Sequence, residues 1–224
     1  MNRRQFLTKS LSMTAAVAGS TLLGGPILAA AENKAIPQNT KQKEAHKKMK
    51  ILVLTGSPRK NGNSNTLAKH FIEGATSVGH DVARFDAAFK DVHPCVGCNR
   101  CNMDGPCFFP DDFEFVRKRL IPADAVVFAT PMYYFGVSAQ LKAVIDRFYA
   151  INGKIHVPKK AVLLMTYANT AAAQAKPIVS HYETLIDYLG WRDAGQIIVP
   201  GVWPVGAVEH TDYPAKAFQL GKSL

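Results

Sequence analysis

The chain has 224 residues, 47% of them hydrophobic and 20% charged, with 27 Lys and Arg against 17 Asp and Glu for a formal charge of +10. That length carries one domain of ordinary size with a substantial core, and no internal repeat argues for an array. A nucleic-acid partner is excluded as well, because that reading needs clustered Lys and Arg on recognition elements, whereas here the excess charge sits at the amino-terminal end.

Residues 1–31 hold Arg3, Arg4 and Lys9 with no acidic residue, then a mostly small or apolar stretch over 11–28 and an A-x-A cleavage site at Ala29-Ala30-Ala31. This is the layout of a secretory signal, which stands outside the fold. The stretch is interrupted by Gly19, Gly24, Gly25 and Pro26 and falls short of the roughly 18 strongly apolar residues of a membrane span, so no stable membrane insertion is expected after processing. Asn2-Arg3-Arg4-Gln5-Phe6-Leu7-Thr8-Lys9 resembles a twin-arginine (Tat) signal, which implies export to the periplasm in a folded state, cofactor included. Residues 32–50 carry six lysines against Glu32 and Glu44, so 32–49 reads as a basic tether and the domain as 50–224.

From there the pattern alternates strand and helix. KILVLT at 50–55 is a nearly continuous apolar run, the mark of a strand buried on both faces. Residues 65–78 have helical spacing through Leu67, Phe71, Ile72 and Ala75, closed by Gly79. A brief strand is expected at 81–85, a helix with acidic residues in its first turn at 111–120, a buried strand at 125–129 and a helix at 138–149. A fourth strand at 161–166, a long helix at 171–189, a fifth strand at 196–199 and a short helix at 214–222 complete the chain. Such alternation argues for an α/β domain with a parallel sheet. Ligands of such sheets bind beyond the carboxyl ends of the strands.

Two loops at those ends are unusual. The first, Gly56-Ser57-Pro58-Arg59-Lys60-Asn61-Gly62-Asn63-Ser64-Asn65-Thr66, has neither a Walker lysine motif nor G-x-G-x-x-G. Its hydroxyls, amides, one arginine and a helix N-terminus suit a phosphate. The alternative is a polar loop in which Ser64 or Asn65 merely caps the helix. The second, Thr130-Pro131-Met132-Tyr133-Tyr134-Phe135-Gly136, puts three consecutive aromatics after a buried strand. Exposed aromatics are costly unless they cover something; a flat conjugated ring is one partner, the core or a subunit interface another.

GSPRKNGNS after an apolar strand resembles the FMN-phosphate loop of the NADPH-dependent FMN reductase and iron–sulfur flavoprotein branch of the flavodoxin-like superfamily. Ala123-Asp124-Ala125 followed by VVFATPMYYFGVSAQLKAVIDRFY is similar to the same branch, so the likeness covers about residues 50–149. It implies a flavodoxin-like three-layer sandwich with a five-stranded parallel sheet of order 2-1-3-4-5. It also implies FMN-phosphate contacts by Ser57, Arg59, Asn63, Ser64 and Asn65, and a backbone from Pro131 through Met132, Tyr133, Tyr134 and Phe135 to Gly136 that edges the flavin. Lys142, Asp146 and Arg147 match the branch's K-x-x-x-I-D-R pattern and are expected in an ion network, within the helix or between subunits. Relatives of this kind are dimers or tetramers, so a homo-oligomer is expected. By position alone, Tyr167-Ala168-Asn169-Thr170 is expected to complete the pocket.

Cys95, Cys98, Cys101 and Cys107 are the only cysteines, spaced C-x2-C-x2-C-x5-C. Export favours disulfides, yet two bridges in one short loop constrain almost no chain. Structural zinc sites use more widely set pairs, and free thiols remain open. The compact spacing resembles the iron–sulfur flavoprotein motif, which implies that all four ligate one [4Fe–4S] cluster, with Phe108, Phe109 and Pro110 excluding water. His93, His156, His181 and His210 are expected at the surface rather than in catalysis.

The expected function is a flavin-dependent oxidoreductase passing electrons between FMN, the cluster and a redox partner or small-molecule acceptor. Export makes NAD(P)H a doubtful donor and a quinol, cytochrome or membrane partner a better one. The alternatives are a cluster-free NAD(P)H-dependent FMN or quinone reductase and a non-catalytic electron carrier.

Overall fold

KILVLT forms β1 (Lys50–Thr55), buried at every position after Lys50. In the computed structural model, residues 47–224 are described; the expected leader at 1–31 and all but the end of the tether at 32–49 lie outside them. The sheet adds β2 (Asp81–Asp86), β3 (Ala125–Pro131), β4 (Lys160–Thr166) and β5 (Arg192–Val199). All neighbours pair in parallel in the order β2-β1-β3-β4-β5, as expected for the flavodoxin-like fold.

Because side chains alternate across a strand, β1 sends Leu52 and Leu54 to one face and Ile51 and Val53 to the other. The first face packs on α2 (Phe113–Leu120), α3 (Ala139–Asp146) and α5 (Lys176–Tyr188) through Val116, Leu120, Leu141, Val144, Tyr182 and Ile186. The second packs on α1 (Asn63–Ser77) and α6 (Tyr213–Lys222) through Leu67, Phe71, Ala75 and Ala217. α1 and α6 approach so closely that a Cβ on Gly74 would lie 1.9 Å from the Phe218 carbonyl oxygen. No larger residue fits that crossing.

The three largest departures from the expected boundaries have physical reasons. The helix expected at 138–149 ends at Asp146 and tightens into a 3₁₀ segment, Arg147–Ile151, followed by the short α4 (Asn152–Ile155). Arg147, Phe148 and Ile151 are all buried there. The helix expected at 171–189 begins as a 3₁₀ turn, Ala172–Ala175, and α5 starts at Lys176, which places Pro177 in the first turn where its missing N–H costs nothing. β5 begins at Arg192 rather than 196, since its polar, exposed first residues carry no apolar signal.

The chain leaves β1 for α1 on one face and β3 for α3 on the other. That reversal opens a crevice at the carboxyl ends of β1 and β3, the place where such sheets take ligands.

Candidate functional site

The β1–α1 loop folds back on itself. Ser57 Oγ accepts from Arg59 N at 3.2 Å, Gly62 N donates to Arg59 O at 2.9 Å, and Asn65 Nδ2 donates to Arg59 O at 2.9 Å. A Cβ on Gly62 would stand 2.5 Å from Ser57 Oγ and 3.0 Å from Arg59 O, so a larger residue there would displace the Ser57 hydroxyl. The loop delivers the N-terminus of α1 with Gly62 at its cap, no side-chain cap and no acidic residue in the first turn. Neither Ser64 nor Asn65 acts as the cap. Ser64 Oγ and Asn65 Oδ1 are instead buried without a hydrogen-bond partner. An uncapped helix N-terminus with a spare hydroxyl beside it is a site for an anion.

This end opens into a cavity of about 360 Å³, within the range of small-molecule sites. Ser57, Arg59, Gly62, Asn63 and Ser64 form one wall, Pro131 to Tyr134 a second, and Thr166, Tyr167 and Ala168 a third. Of the expected β4 loop, Asn169 and Thr170 stay outside. Asn63 reaches the wall, but its amide is already used: Nδ2 donates to Val202 O and Pro204 O, and Oδ1 accepts from Val208 N. Only its backbone N–H is left for a ligand. Asn65 holds the loop rather than lining the cavity.

The fourth wall is Val202 and Trp203, after β5, which the sequence reading missed. Arg59 Nη1 donates to Trp203 O at 3.5 Å, and its guanidinium carbon lies 6.0 Å from the indole centroid. The available signal was a tryptophan in Gly-Val-Trp-Pro just beyond the last strand's carboxyl end.

Tyr133 and Gly136 exchange backbone hydrogen bonds at 3.0 Å, closing a two-residue turn on Tyr134 and Phe135. Both central residues have positive φ, 45° and 63°, in a turn that ordinarily takes Asn-Gly. Tyr134 lines the cavity while Phe135 and Gly136 face a separate space of about 230 Å³ beside Val137, Lys142 and His181. His93, His156 and His210 are exposed, and His181 is half-buried.

The four cysteines line one small cavity together with Phe109, Arg147 and Tyr149, and none is in a disulfide. Among the described residues, no group of three or more His, Cys, Asp or Glu side chains is arranged to hold a metal ion. Phe109 lines the cavity and stacks on His93 at 3.8 Å. Phe108 does not shield it: that ring is exposed under the Arg100 guanidinium, 4.1 Å from its centroid, and Pro110 is exposed as well. Lys142 pairs with Asp146 within α3, whereas Arg147 turns inward and binds Asp111 and His93 O.

Non-glycine residues rarely adopt positive φ, and such strain gathers at functional sites. Among the described residues five do so: Asn99, Asn102 and Met103 in the cysteine loop, Tyr134 and Phe135 at the cavity. The two candidate sites share no lining residue.

Residues 49–199 match the family model described as NADPH-dependent FMN reductase. An iron–sulfur flavoprotein of Archaeoglobus fulgidus is 28% identical over 79% of this chain and 79% of that protein. One of Methanocaldococcus jannaschii is 36% identical over 44% of this chain and 51% of that protein, so the chain spans about half the length of that relative. Among solved structures, an NAD(P)H:quinone oxidoreductase from Methanothermobacter marburgensis superposes with a TM-score of 0.63 at 19% identity, over 79% of this chain and 96% of that one, a likeness of fold. The chain belongs to the NADPH-dependent FMN reductase family of flavin-dependent oxidoreductases.

Proposed function

We infer that this chain binds FMN in the 360 Å³ cavity and passes electrons between it, a [4Fe–4S] cluster on Cys95, Cys98, Cys101 and Cys107, and an external redox partner or small-molecule acceptor. The observation that carries the reading is the partnerless Ser64 hydroxyl at the uncapped start of α1. Ser57, Arg59, Ser64 and the first N–H groups of α1 receive the phosphate. Pro131 to Tyr134, Tyr167 and Trp203 line the space for the ring. Bound FMN supplies hydride and single-electron chemistry; the residues named here bind and orient it.

The cysteine site fits a cluster by its donor set, four free thiols with no other type of ligand among them. The thiols close on about 10 Å³, room for one water and not for a cluster. The names of the two archaeal relatives support this reading. A second reading, a cluster-free NAD(P)H-dependent reductase, is favoured by the lack of a ready-made metal group among the described residues and by the family's description.

The leader supports Tat export to the periplasm after cofactor insertion, with a quinol, cytochrome or membrane partner as donor. Exposed Tyr134, Phe135 and Trp203 near the cavity mouth support a dimer or tetramer that covers them.

Anaerobic purification of the full chain tests these readings. FMN with about four irons and four sulfides per chain is expected. FMN without iron leaves the cluster-free reductase, and correctly folded protein that takes up no flavin rejects both.

A further inference from the structure

The opposite end of the sheet from the 360 Å³ cavity carries a second recess. It lies at the amino ends of β4 and β5, has a volume of about 480 Å³ and shares no lining residue with the first. Among the described residues its wall holds Lys47, Lys159, Lys160 and Arg192 against one acidic side chain, Asp124.

The protein itself gives these cations little to neutralise them. Lys159 is 6% exposed, and its Nζ donates to Ala123 O at 2.7 Å and Ile121 O at 3.0 Å, which leaves one of the three ammonium N–H groups. Burial pulls its pKa below the ordinary lysine range, and Asp124 offsets only part of that. Asp124 is itself engaged, accepting from Lys50 N at 2.7 Å. Lys160 donates to Leu224 O. Arg192 is the register partner of Lys160 across β4 and β5, so two cations stand side by side on one face of the sheet, where like charges repel. Among the described residues neither the Arg192 guanidinium nor the Lys47 ammonium has a hydrogen-bond or ion-pair partner.

The neighbouring helix end does not need them either. α5 closes with Trp191 N donating to Ile186 O at 2.8 Å and Gly190 N to Asp187 O at 3.0 Å, with Gly190 at a φ of 68°. This is the Schellman arrangement, which satisfies terminal carbonyls from within. A recess that gathers repelling cations without internal counter-ions suits an anion from outside.

We propose that this recess binds a phosphate group, carried by a soluble phosphate ester or by a lipid headgroup. Arg192 supplies paired planar donors, and Lys47 and Lys159 supply ammonium donors. A phosphate there also screens Lys160 from Arg192. The inference goes beyond the flavin reading and does not rest on it.

The test uses the full chain saturated with FMN, so that the phosphate cradle of α1 is filled. Inorganic pyrophosphate is titrated by calorimetry at constant ionic strength, with chloride as the balancing salt. Flotation with vesicles of phosphatidylcholine, alone or mixed with phosphatidylglycerol, reports lipid capture. The variants are Arg192→Gln, Lys47→Gln and, as a control for loss of one charge, Lys176→Gln at the opposite end of α5. Arg192 is exposed, so its variant is expected to fold. Arg192→Gln should weaken binding at least tenfold, as loss of a charge-assisted contact does; Lys47→Gln should weaken it less and Lys176→Gln not at all. Pyrophosphate should raise the Tm of the wild type and leave that of Arg192→Gln nearly unmoved. Pyrophosphate binding without vesicle capture assigns the site to soluble esters. Capture by the mixed vesicles alone, lost in Arg192→Gln, assigns it to headgroups, and Arg192-dependent binding of both probes admits either source. Binding of neither probe overturns the proposal. So does binding that survives Arg192→Gln or falls equally in Lys176→Gln, because diffuse charge then accounts for it. A chain that takes up no FMN overturns the flavin reading alone, and the dependence on Arg192 is then read on the flavin-free protein.

Discussion

Arg147 closes a buried fork on Asp111, Nη1 to Oδ2 at 2.7 Å and Nη2 to Oδ1 at 3.0 Å, with the two side chains 1% and 7% exposed. The pair joins the end of α3 to the residues that follow the last cysteine. Removing one member strands the other's charge in the interior, which costs about 3–5 kcal/mol. Asp111→Ala is expected to lose that much in urea unfolding. The double change Arg147→Met with Asp111→Leu should lose much less, because no charge is left unpaired.

The same pair fixes an acid response. Burial alone raises the Asp111 carboxyl, but the Arg147 hydrogen bonds and the backbone N–H groups of His93 and Phe113 outweigh it and hold the group below its ordinary 3.8. A carboxylate lowered by folding contributes stability that is complete above the unfolded value and is lost as pH falls through the folded one. The stability difference between wild type and Asp111→Asn should therefore be constant above about pH 5 and shrink below about pH 4. Denaturant midpoints at pH 6 and pH 3 measure it; a difference that does not change with pH refutes the assignment.

Ser64 makes the sharpest test of the phosphate cradle. Its hydroxyl has no partner in the protein, so Ser64→Ala should leave the flavin-free chain as stable as before. Its loss should be felt only when an anion arrives, where a hydrogen bond to a charged group contributes about 1.5–3 kcal/mol. FMN titration followed by fluorescence quenching should show at least a tenfold weaker Kd, at unchanged Tm. Equal affinity would mean that the hydroxyl faces something other than phosphate.

Trp203 separates what was legible in the sequence from what was not. The alternation of Ile51, Leu52, Val53 and Leu54 is a local pattern, and it places β1 between two helical layers without further information. The Ser57 to Ser64 loop is likewise contiguous, so its residue types speak for themselves. Trp203 and Asn63 acquire their tasks only when the segment after β5 folds across the start of α1, 139 residues from Asn63 to Val202. Arg147 reads as one charge of a helical surface until the tertiary fold turns it onto Asp111, 36 residues away. Trp203 is 68% exposed, so Trp203→Ala should change stability by less than about 0.5 kcal/mol. If the indole covers the flavin, FMN affinity should fall by about 0.5–1.5 kcal/mol, read in the same titration.

The turn at Tyr134-Phe135 predicts a trade between stability and binding. Each non-glycine residue in the left-handed region costs about 1–2 kcal/mol, and this turn holds two in succession, with φ of 45° and 63°. Tyr134 is fully exposed, so its side chain returns little packing to the fold. Tyr134→Asn together with Phe135→Gly supplies the residues such a turn favours. The pair of changes should raise stability by about 1–2 kcal/mol, a Tm gain of roughly 2–8 °C for a domain of this size. Because Tyr134 also lines the cavity, FMN should bind more weakly in the stabilised variant. A variant that gains stability and keeps wild-type FMN affinity would show that the strain serves another surface, such as a subunit contact. One that gains no stability would show that the aromatic pair already offsets its backbone cost through contacts made in an oligomer.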